Sequence, residues 1–261
     1  MTHTPNQLFD IKGKVAIVTG ASSGLGVQFT EYLAECGCKL AICARRVDRM
    51  EELAKKLTAK NVEVFVGKCD ATKPDEVASF VQSVKAKYGR IDILVNNAGV
   101  LNMEKAESQS NEEWLRIIDC NVNGVYWFAR EVGKIMIAQK SGKIINIGSI
   151  HSNTVISAKV HTLSSYVTSK GAVLMMTKAL ACEWAQYGIQ VNAIGPAYFG
   201  SEMTEAALVQ GSFQEFVANR CPTGRPGREG ELNGALHYFA SEASSYTTGQ
   251  LLNVDGGWNT I

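Results

Sequence analysis

The sequence has little excess charge of either sign. Its 261 residues carry 26 Lys and Arg against 25 Asp and Glu, so the net charge is +1. Such a surface offers no basic face for nucleic acid and no acidic tail for a basic partner. The chain also lacks an apolar run of membrane-spanning length, and MTHTPNQLFD lacks the features of a signal peptide. We therefore expect a cytoplasmic protein that binds neither nucleic acid nor a membrane.

Metal-binding patterns are missing as well. The four histidines form no HExxH or similar cluster, and the seven cysteines include no CxxC pair. The sequence CGC at 36–38 would need histidines from elsewhere in the fold to hold a metal. We predict reduced cysteines and no metal.

Short β-branched runs alternate with longer segments of helical period, including helices at 47–58 and 74–88. Within each run, the residues that would point to either face of a sheet are apolar, as in parallel strands covered by helices on both faces. We predict an α/β fold with a Rossmann-like, doubly wound, mostly seven-stranded parallel sheet in a single domain, 1–261. Residues 195–230, rich in Gly, Pro and aromatics, would form a substrate lid. The predicted strands are 14–19, 39–44, 62–67, 91–96, 143–148, 189–194 and 250–254.

A glycine-rich turn, TGASSGLG, follows the first predicted strand and precedes a helix from about Val27. At this place in an α/β sheet, glycines let the backbone approach a pyrophosphate, and the helix N-terminus offers free N–H groups. The turn could also be glycine-rich for conformational reasons alone. The residues predicted to bind a dinucleotide here are Gly20, Ser22, Ser23, Gly24, Leu25 and Gly26.

The second strand ends in CARR, where an acidic residue would favour NAD. Ala44 stands there instead, and the guanidinium of Arg45 would suit a 2′-phosphate, so we predict that NADP(H) is preferred over NAD(H). The alternative is that Arg45 and Arg46 simply begin a solvated helix. Asp70, after the third strand, would bind the adenine or cap the next helix.

The fourth strand runs into NNAG, where Asn97, Ala98 and Gly99 would form a close turn beside the cofactor. An ordinary turn is the alternative. Together with four other motifs in the same order, NNAG resembles the short-chain dehydrogenase/reductase family. The others are TGASSGLG, the asparagine at 121 before GVYW, IGS ending at Ser149, and YVTSK from Tyr166. The resemblance is collinear from about Leu8 to Trp258.

The resemblance implies hydride transfer between NADP(H) and a ketone or secondary alcohol. Tyr166 would exchange the proton, Ser149 would donate a hydrogen bond to the substrate oxygen, and Asn121 would hold a water in a proton relay. Lys170 would bind the nicotinamide ribose. It also lies one helical turn from Tyr166, where a cation is expected to lower the tyrosine pKa from about 10. For Tyr166 and Lys170 the alternative is a partly buried aromatic residue beside a surface amine. For Asn121 it is a buried amide that satisfies a helix backbone.

The sequence departs from the family pattern after the sixth strand and before Tyr166. Pro196, a predicted cofactor contact, is followed by Ala197 instead of glycine, and Ser201 replaces a threonine that contacts the carboxamide. Ser149 and Tyr166 are seventeen positions apart, several more than expected. We expect the enlarged loop to line the substrate pocket, with His151 and His161 as specificity contacts. Otherwise it is a surface loop.

The substrate class stays open. NRCPTGRPG and VDGGW resemble gluconate 5-dehydrogenase-like polyol and sugar-acid enzymes and 3-oxoacyl carrier-protein reductases. A hydroxysteroid substrate is a third possibility, and a sensor or scaffold that binds NADP(H) without turnover is the non-enzymatic alternative. The family also implies a homotetramer or homodimer, built on the helices predicted at 111–139 and 165–187.

Overall fold

The computed structural model describes residues 4–200, 202, 204 and 211–260. In this part of the chain the strands form one seven-stranded parallel sheet in the order β3-β2-β1-β4-β5-β6-β7. The predicted doubly wound fold is confirmed. The strands are β1 Val15–Thr19, β2 Lys39–Ala44, β3 Val64–Lys68, β4 Ile93–Asn96, β5 Gly142–Ile147, β6 Ile189–Pro196 and β7 Leu251–Val254.

The helices connect these strands in sequence order. The two helices predicted at 47–58 and 74–88 have those bounds, whereas the first long helix begins at Gly24, inside the glycine-rich turn, and not near Val27. The α-helices are α1 Pro5–Leu8, α2 Gly24–Glu35, α3 Val47–Thr58, α4 Pro74–Tyr88, α5 Asn111–Ile118, α6 Gly124–Gln139, α7 Ser164–Trp184, α8 Gly211–Arg220 and α9 Asn233–Ala240.

Both faces of the sheet are buried, because alternate residues of each strand enter different hydrophobic clusters. In β1, Ala16 and Val18 join the cluster formed with α2, α3 and α9, whereas Val15 and Ile17 join the one formed with α4, α6 and α7. This two-sided burial explains why the strands read as nearly continuous apolar runs. A third cluster joins α8 to the turn after β5 and to Trp258.

The sheet topology places the functional candidates at one edge. Strand order reverses between β1 and β4, and ligands bind such sheets at the carboxyl ends of the strands on either side of this point. The glycine-rich turn, NNAG and Ser149 follow β1, β4 and β5 at this edge. Ser201 and most of the segment from 201 to 210 lie outside the described residues.

Candidate active site

The glycine-rich turn and NNAG are packed against each other too closely for side chains. A Cβ on Gly20, whose φ is +67°, would lie 2.8 Å from Cα of Ala98. A Cβ on Gly26 would overlap the carbonyl oxygen of Gly20 and lie 2.7 Å from Nδ2 of Asn97. Glycine is therefore needed at both positions for the strand ends to meet.

Hydrogen bonds fix this junction. Oγ1 of Thr19 accepts from the backbone N–H groups of Asn97 and Ala98, each at 3.0 Å, and Nδ2 of Asn97 donates to the carbonyl of Thr19 at 2.9 Å. NNAG therefore holds the glycine-rich turn after β1 in place, and its last three residues also line the cavity. Sequence reasoning missed Thr19, although a hydroxyl at the end of a buried strand is a visible signal.

A cavity of about 760 Å³ runs along this edge of the sheet. It contains most of the predicted site residues. Gly26 lies beneath the turn and Asn121 lies behind the wall, so neither is among the lining residues. The predicted residues that line the cavity are Gly20, Ser22, Ser23, Gly24, Leu25, Arg45, Asp70, Asn97, Ala98, Gly99, Ser149, His151, His161, Tyr166, Lys170 and Pro196.

The two arginines after β2 have different environments. Arg45 is exposed at the cavity, and no described residue forms a hydrogen bond or ion pair with it. Arg46 turns toward the glycine-rich turn, where its Nη2 donates to Oγ of Ser23 at 2.9 Å and to Oγ of Ser22 at 3.3 Å. Arg46 also forms an ion pair with Glu202. The sequence prediction singled out Arg45, but Arg46 is the arginine that the fold holds at the serines.

Asp70 shapes the turn before α4. Its Oδ1 accepts from the backbone N–H of Thr72 at 3.0 Å and from the Thr72 hydroxyl at 2.9 Å, and the capping position of α4 is occupied by Lys73. The suggestion that Asp70 caps this helix is therefore wrong. The side chain lies at the cavity wall, where contact with the adenine stays a prediction.

Tyr166 and Lys170 lie one turn apart on α7, and Ser149 lies directly beyond β5. Nζ of Lys170 donates to the carbonyl of Ile147 at 2.7 Å and is 5.7 Å from the centroid of the Tyr166 ring. Oγ of Ser149 accepts from the backbone N–H of His151 at 3.1 Å, which keeps the hydroxyl proton available for another acceptor. The three residues line the same cavity.

The electrostatics of this trio differ from the sequence expectation. Burial raises the pKa of Tyr166 above its usual value of 10.0, and a hydrogen bond with Ser149 only opposes this effect. Burial also lowers the pKa of Lys170 to about 8, against an opposing influence of Cys120. The expected lowering of the tyrosine pKa by Lys170 is thus wrong, because desolvation dominates.

Asn121 lies in a π-helical turn, Asp119–Asn123, between α5 and α6, and it is fully buried. Its Oδ1 accepts from the N–H of Val100 at 2.8 Å. Its Nδ2 donates to the Val100 carbonyl at 2.9 Å and to Oγ of Ser169 on α7 at 3.0 Å. The side-chain amide therefore joins the segment after NNAG to the helix that carries Tyr166 and Lys170. Participation in a proton relay stays a prediction.

The long interval before Tyr166 contributes residues to the cavity. His151 lies in a 3₁₀ turn, Ile150–Ser152, is 4% exposed, and neither ring nitrogen has a hydrogen-bond partner among the described residues. Burial lowers its pKa, the backbone of Thr154 opposes this shift, and His161 reinforces it. His151 is therefore a neutral imidazole near neutral pH, and the Thr154 backbone lies near the ring without forming a hydrogen bond of normal geometry.

Aromatic side chains cluster beside the cavity, and two of them, Tyr198 and Phe213, line it. The Tyr198 ring lies 5.1 Å from those of Phe213 and Trp258, and His161 lies 5.4 Å from Phe213. The Tyr198 hydroxyl is buried and also has no partner among the described residues. Sequence reasoning did not single out Tyr198, although it follows Pro196 by two positions at the end of β6.

Within the described residues, no group of three or more His, Cys, Asp or Glu side chains is arranged to hold a metal ion. None of the helices in this part of the chain has the length and apolar character needed to cross a membrane.

Comparisons with known proteins agree with this geometry. Residues 14–210 match the family model described as short chain dehydrogenase. Gluconate 5-dehydrogenase of Gluconobacter oxydans is 35% identical over 250 residues, covering 96% of each chain. The 5-keto-D-gluconate 5-reductase of Escherichia coli is 34% identical, covering 97% of this chain and 98% of its own. A crystal structure of a gluconate 5-dehydrogenase from Burkholderia cenocepacia, in complex with NADP and tartrate, has a TM-score of 0.94 at 34% identity, covering 99% of this chain and all of its own. The prediction of a dehydrogenase/reductase acting on hydroxyl or keto groups is confirmed, and the chain belongs to the short-chain dehydrogenase family.

Proposed function

We propose that this protein transfers a hydride between NADP(H) and a ketone or secondary alcohol, with Tyr166 as the proton-exchanging group. The observation that carries the proposal is the convergence of Ser149, Tyr166 and Lys170 in the cavity that begins at the glycine-rich turn. The alternative of a surface amine beside an aromatic residue does not account for Lys170, which is 6% exposed.

The residues present fit a dinucleotide. Gly20 and Gly24 have positive φ and line the cavity without side chains, and the start of α2 adjoins the turn with its free N–H groups. Arg46 with Ser22 and Ser23 offers donors for a phosphate. These groups would hold the pyrophosphate and the adenosine end, with Arg45 and Asp70 beside them and Asn97 to Gly99 and Pro196 toward the nicotinamide. When bound, the nicotinamide supplies or accepts the hydride.

The protein side of the reaction follows from the trio. In the reductive direction, Tyr166 donates its proton to the carbonyl oxygen, and its raised pKa keeps the hydroxyl protonated at neutral pH. Ser149 donates a hydrogen bond to the same oxygen and stabilises the charge that develops there. Lys170, whose Nζ lies 5.7 Å from the centroid of the Tyr166 ring and whose pKa is lowered to about 8 by burial, would return a proton to Tyr166.

We favour a sugar acid or polyol as the substrate. The relatives named above are gluconate 5-dehydrogenases and a 5-keto-D-gluconate reductase. The unpartnered polar atoms of His151 and Tyr198 would bind hydroxyl or carboxylate groups, since burying them without a partner costs stability. Replacement of His151 therefore changes substrate preference in this proposal.

The apolar side of the cavity supports a second candidate. Ile150, Leu163, Tyr198 and Phe213 line it, and they would suit a ketone with an apolar body, such as a steroid or a 3-oxoacyl thioester.

A turnover panel tests both candidates. The absorbance of NADPH is followed with 5-keto-D-gluconate, a ketohexose, a steroid ketone and a 3-oxoacyl thioester, and NADP+ is tested with the matching alcohols. Turnover restricted to the first pair supports the sugar-acid proposal, and turnover restricted to the second pair supports the apolar candidate. Tight NADPH binding without turnover of any ketone would identify a sensor or scaffold instead.

We also propose that the protein is a homotetramer, with a homodimer as the alternative. Large apolar side chains are exposed on the helices that the sequence prediction assigned to the interface, namely Trp114, Leu115, Tyr126 and Met175. Burial of such side chains is the usual driving force for association. Light scattering measures the oligomeric state. A cytoplasmic location stays a prediction.

A further inference from the structure

The carboxylate of Glu202 forms ion pairs with Arg46 and Arg49 beside the glycine-rich turn. Glu202 follows the end of β6 by six positions. Its Oε2 accepts from Nη2 of Arg46 at 2.7 Å, and its Oε1 accepts from Nη1 of Arg46 at 2.9 Å and from Nη1 of Arg49 at 3.0 Å. One carboxylate thus occupies the fork of one guanidinium and contacts a second.

The same Arg46 side chain is held by the glycine-rich turn. Its Nη2 donates to Oγ of Ser23 at 2.9 Å, and Ser22 lies within 3.4 Å of its Nε. The pKa of Glu202 is lowered to about 2 by hydrogen bonds with Arg46, Ser23 and Arg49. Two guanidinium groups and the Ser23 hydroxyl therefore surround one anionic group, and Ser22, Ser23, Arg46 and Glu202 all line the cavity.

A phosphate would use the same donors. Guanidinium groups bind carboxylates and phosphates through the same two-pronged geometry, so the two anions compete for one site. A phosphate carries more charge than the carboxylate and has three acceptor oxygens, which favours exchange when it arrives. NAD(H), which has no 2′-phosphate, gains nothing from displacing the carboxylate.

We propose that Glu202 is an internal competitor of the cofactor's 2′-phosphate and thereby sets the affinity for NADP(H) relative to NAD(H). This inference rests on the proposed use of NADP(H). The carboxylate occupies the anion site by its contacts with Arg46 and Arg49, and binding of NADP(H) would displace it from both. The acidic residue that limits NADP(H) affinity is thus supplied by the segment after β6, whereas the end of β2 supplies arginines.

The expected size of the effect follows from the fraction of molecules in which Glu202 does not occupy the anion site. When a binding-competent state is only a fraction of the molecules, the apparent Kd rises by the inverse of that fraction. An exposed ion pair shifts such an equilibrium by up to about fivefold, and Glu202 contacts two arginines. We therefore expect removal of the carboxylate to lower the Kd for NADPH about three- to tenfold.

The experiment compares Glu202→Gln with Glu63→Gln in full-length protein. Glu63 also forms an exposed ion pair, with Lys39 at the start of β2, so its replacement makes the same charge change at the opposite edge of the sheet. NADPH and NADH, which differ only in the 2′-phosphate, are titrated by fluorescence. In Glu202→Gln, NADPH should bind about three- to tenfold more tightly and NADH within about twofold of wild type. Glu63→Gln should change neither.

Two further arms keep the outcomes distinct. Glu202→Ala removes any residual amide contact with Arg46 and should show the same selective gain. If Glu202→Gln and Glu202→Ala leave the NADPH affinity unchanged, or strengthen NADPH and NADH equally, the inference is overturned. Equal binding of NADPH and NADH by the wild-type protein would instead overturn the proposed cofactor preference, whereas a selective gain of NADPH affinity in the two Glu202 variants would still support the competition.

Discussion

Lys170 carries its charge in a place that the fold keeps out of water. The residue is 6% exposed, and the Ile147 carbonyl accepts a hydrogen bond from its Nζ at 2.7 Å. Burial lowers its pKa from 10.5 to about 8. At about 1.4 kcal/mol for each tenfold change in acidity, keeping this lysine charged costs about 3 kcal/mol of folding stability.

We therefore expect Lys170→Met to stabilise the cofactor-free protein at pH 7. Because folding lowers the pKa of this base, the cost is fully present below pH 8 and disappears as the pH rises toward 10.5, the unfolded value. Loss of the hydrogen bond to Ile147 offsets about 1 kcal/mol. The net gain should be about 2 kcal/mol at pH 7 and close to zero at pH 10.

Urea denaturation at one fixed protein concentration measures this difference at both pH values. Lys178→Met is the matched control, since Lys178 is exposed on the same helix, and its effect on stability should be small. A Lys170→Met variant that is less stable than wild type at pH 7, or whose stability difference does not change between pH 7 and 10, would refute the reasoning.

Three other substitutions test the site. Gly26→Ala should destabilise the fold by about 1–3 kcal/mol, because its Cβ overlaps the Gly20 carbonyl, whereas Gly234→Ala, which has open space, should not; thermal denaturation compares them. Arg46→Ala should raise the Kd for NADPH about tenfold and leave that for NADH unchanged, and Arg45→Ala should raise the Kd for NADPH by less. Fluorescence titration measures both, and a larger effect of Arg45→Ala would contradict the assignment of the phosphate to Arg46. His151→Leu should raise the stability by about 1 kcal/mol while it increases KM for a polyhydroxylated ketone more than it lowers kcat; unchanged preference across the substrate panel would remove His151 from the substrate site.

Local sequence signals account for much of the fold. The bounds of α4 could be predicted because Pro74 suits a first helical position and Gly89 ends the helix with a φ of +75°. The start of β4 could not: the strand begins at Ile93, although Asp92 donates its backbone N–H to the Val15 carbonyl and accepts from the Val15 N–H with its carboxylate, each at 2.9 Å. These contacts join positions far apart in the sequence and leave no local pattern.

The candidate site shows the same division. The spacing of Tyr166 and Lys170 places them one turn apart on a helix, and this was readable from the sequence. The direction of the tyrosine pKa was not, since it depends on burial by surrounding elements. The contact of Arg46 with Glu202 spans 156 positions, so no local motif could indicate which arginine is held at the glycine-rich turn.

The central claim is that Tyr166 exchanges the proton with the substrate oxygen. The most direct measurement compares Tyr166→Phe with wild type, using NADPH and the best ketone of the turnover panel. We expect turnover to fall about 10²- to 10⁴-fold, while the Kd for NADPH stays within about twofold, because only the hydroxyl is removed. Turnover within about tenfold of wild type, with NADPH binding intact, would contradict the mechanism.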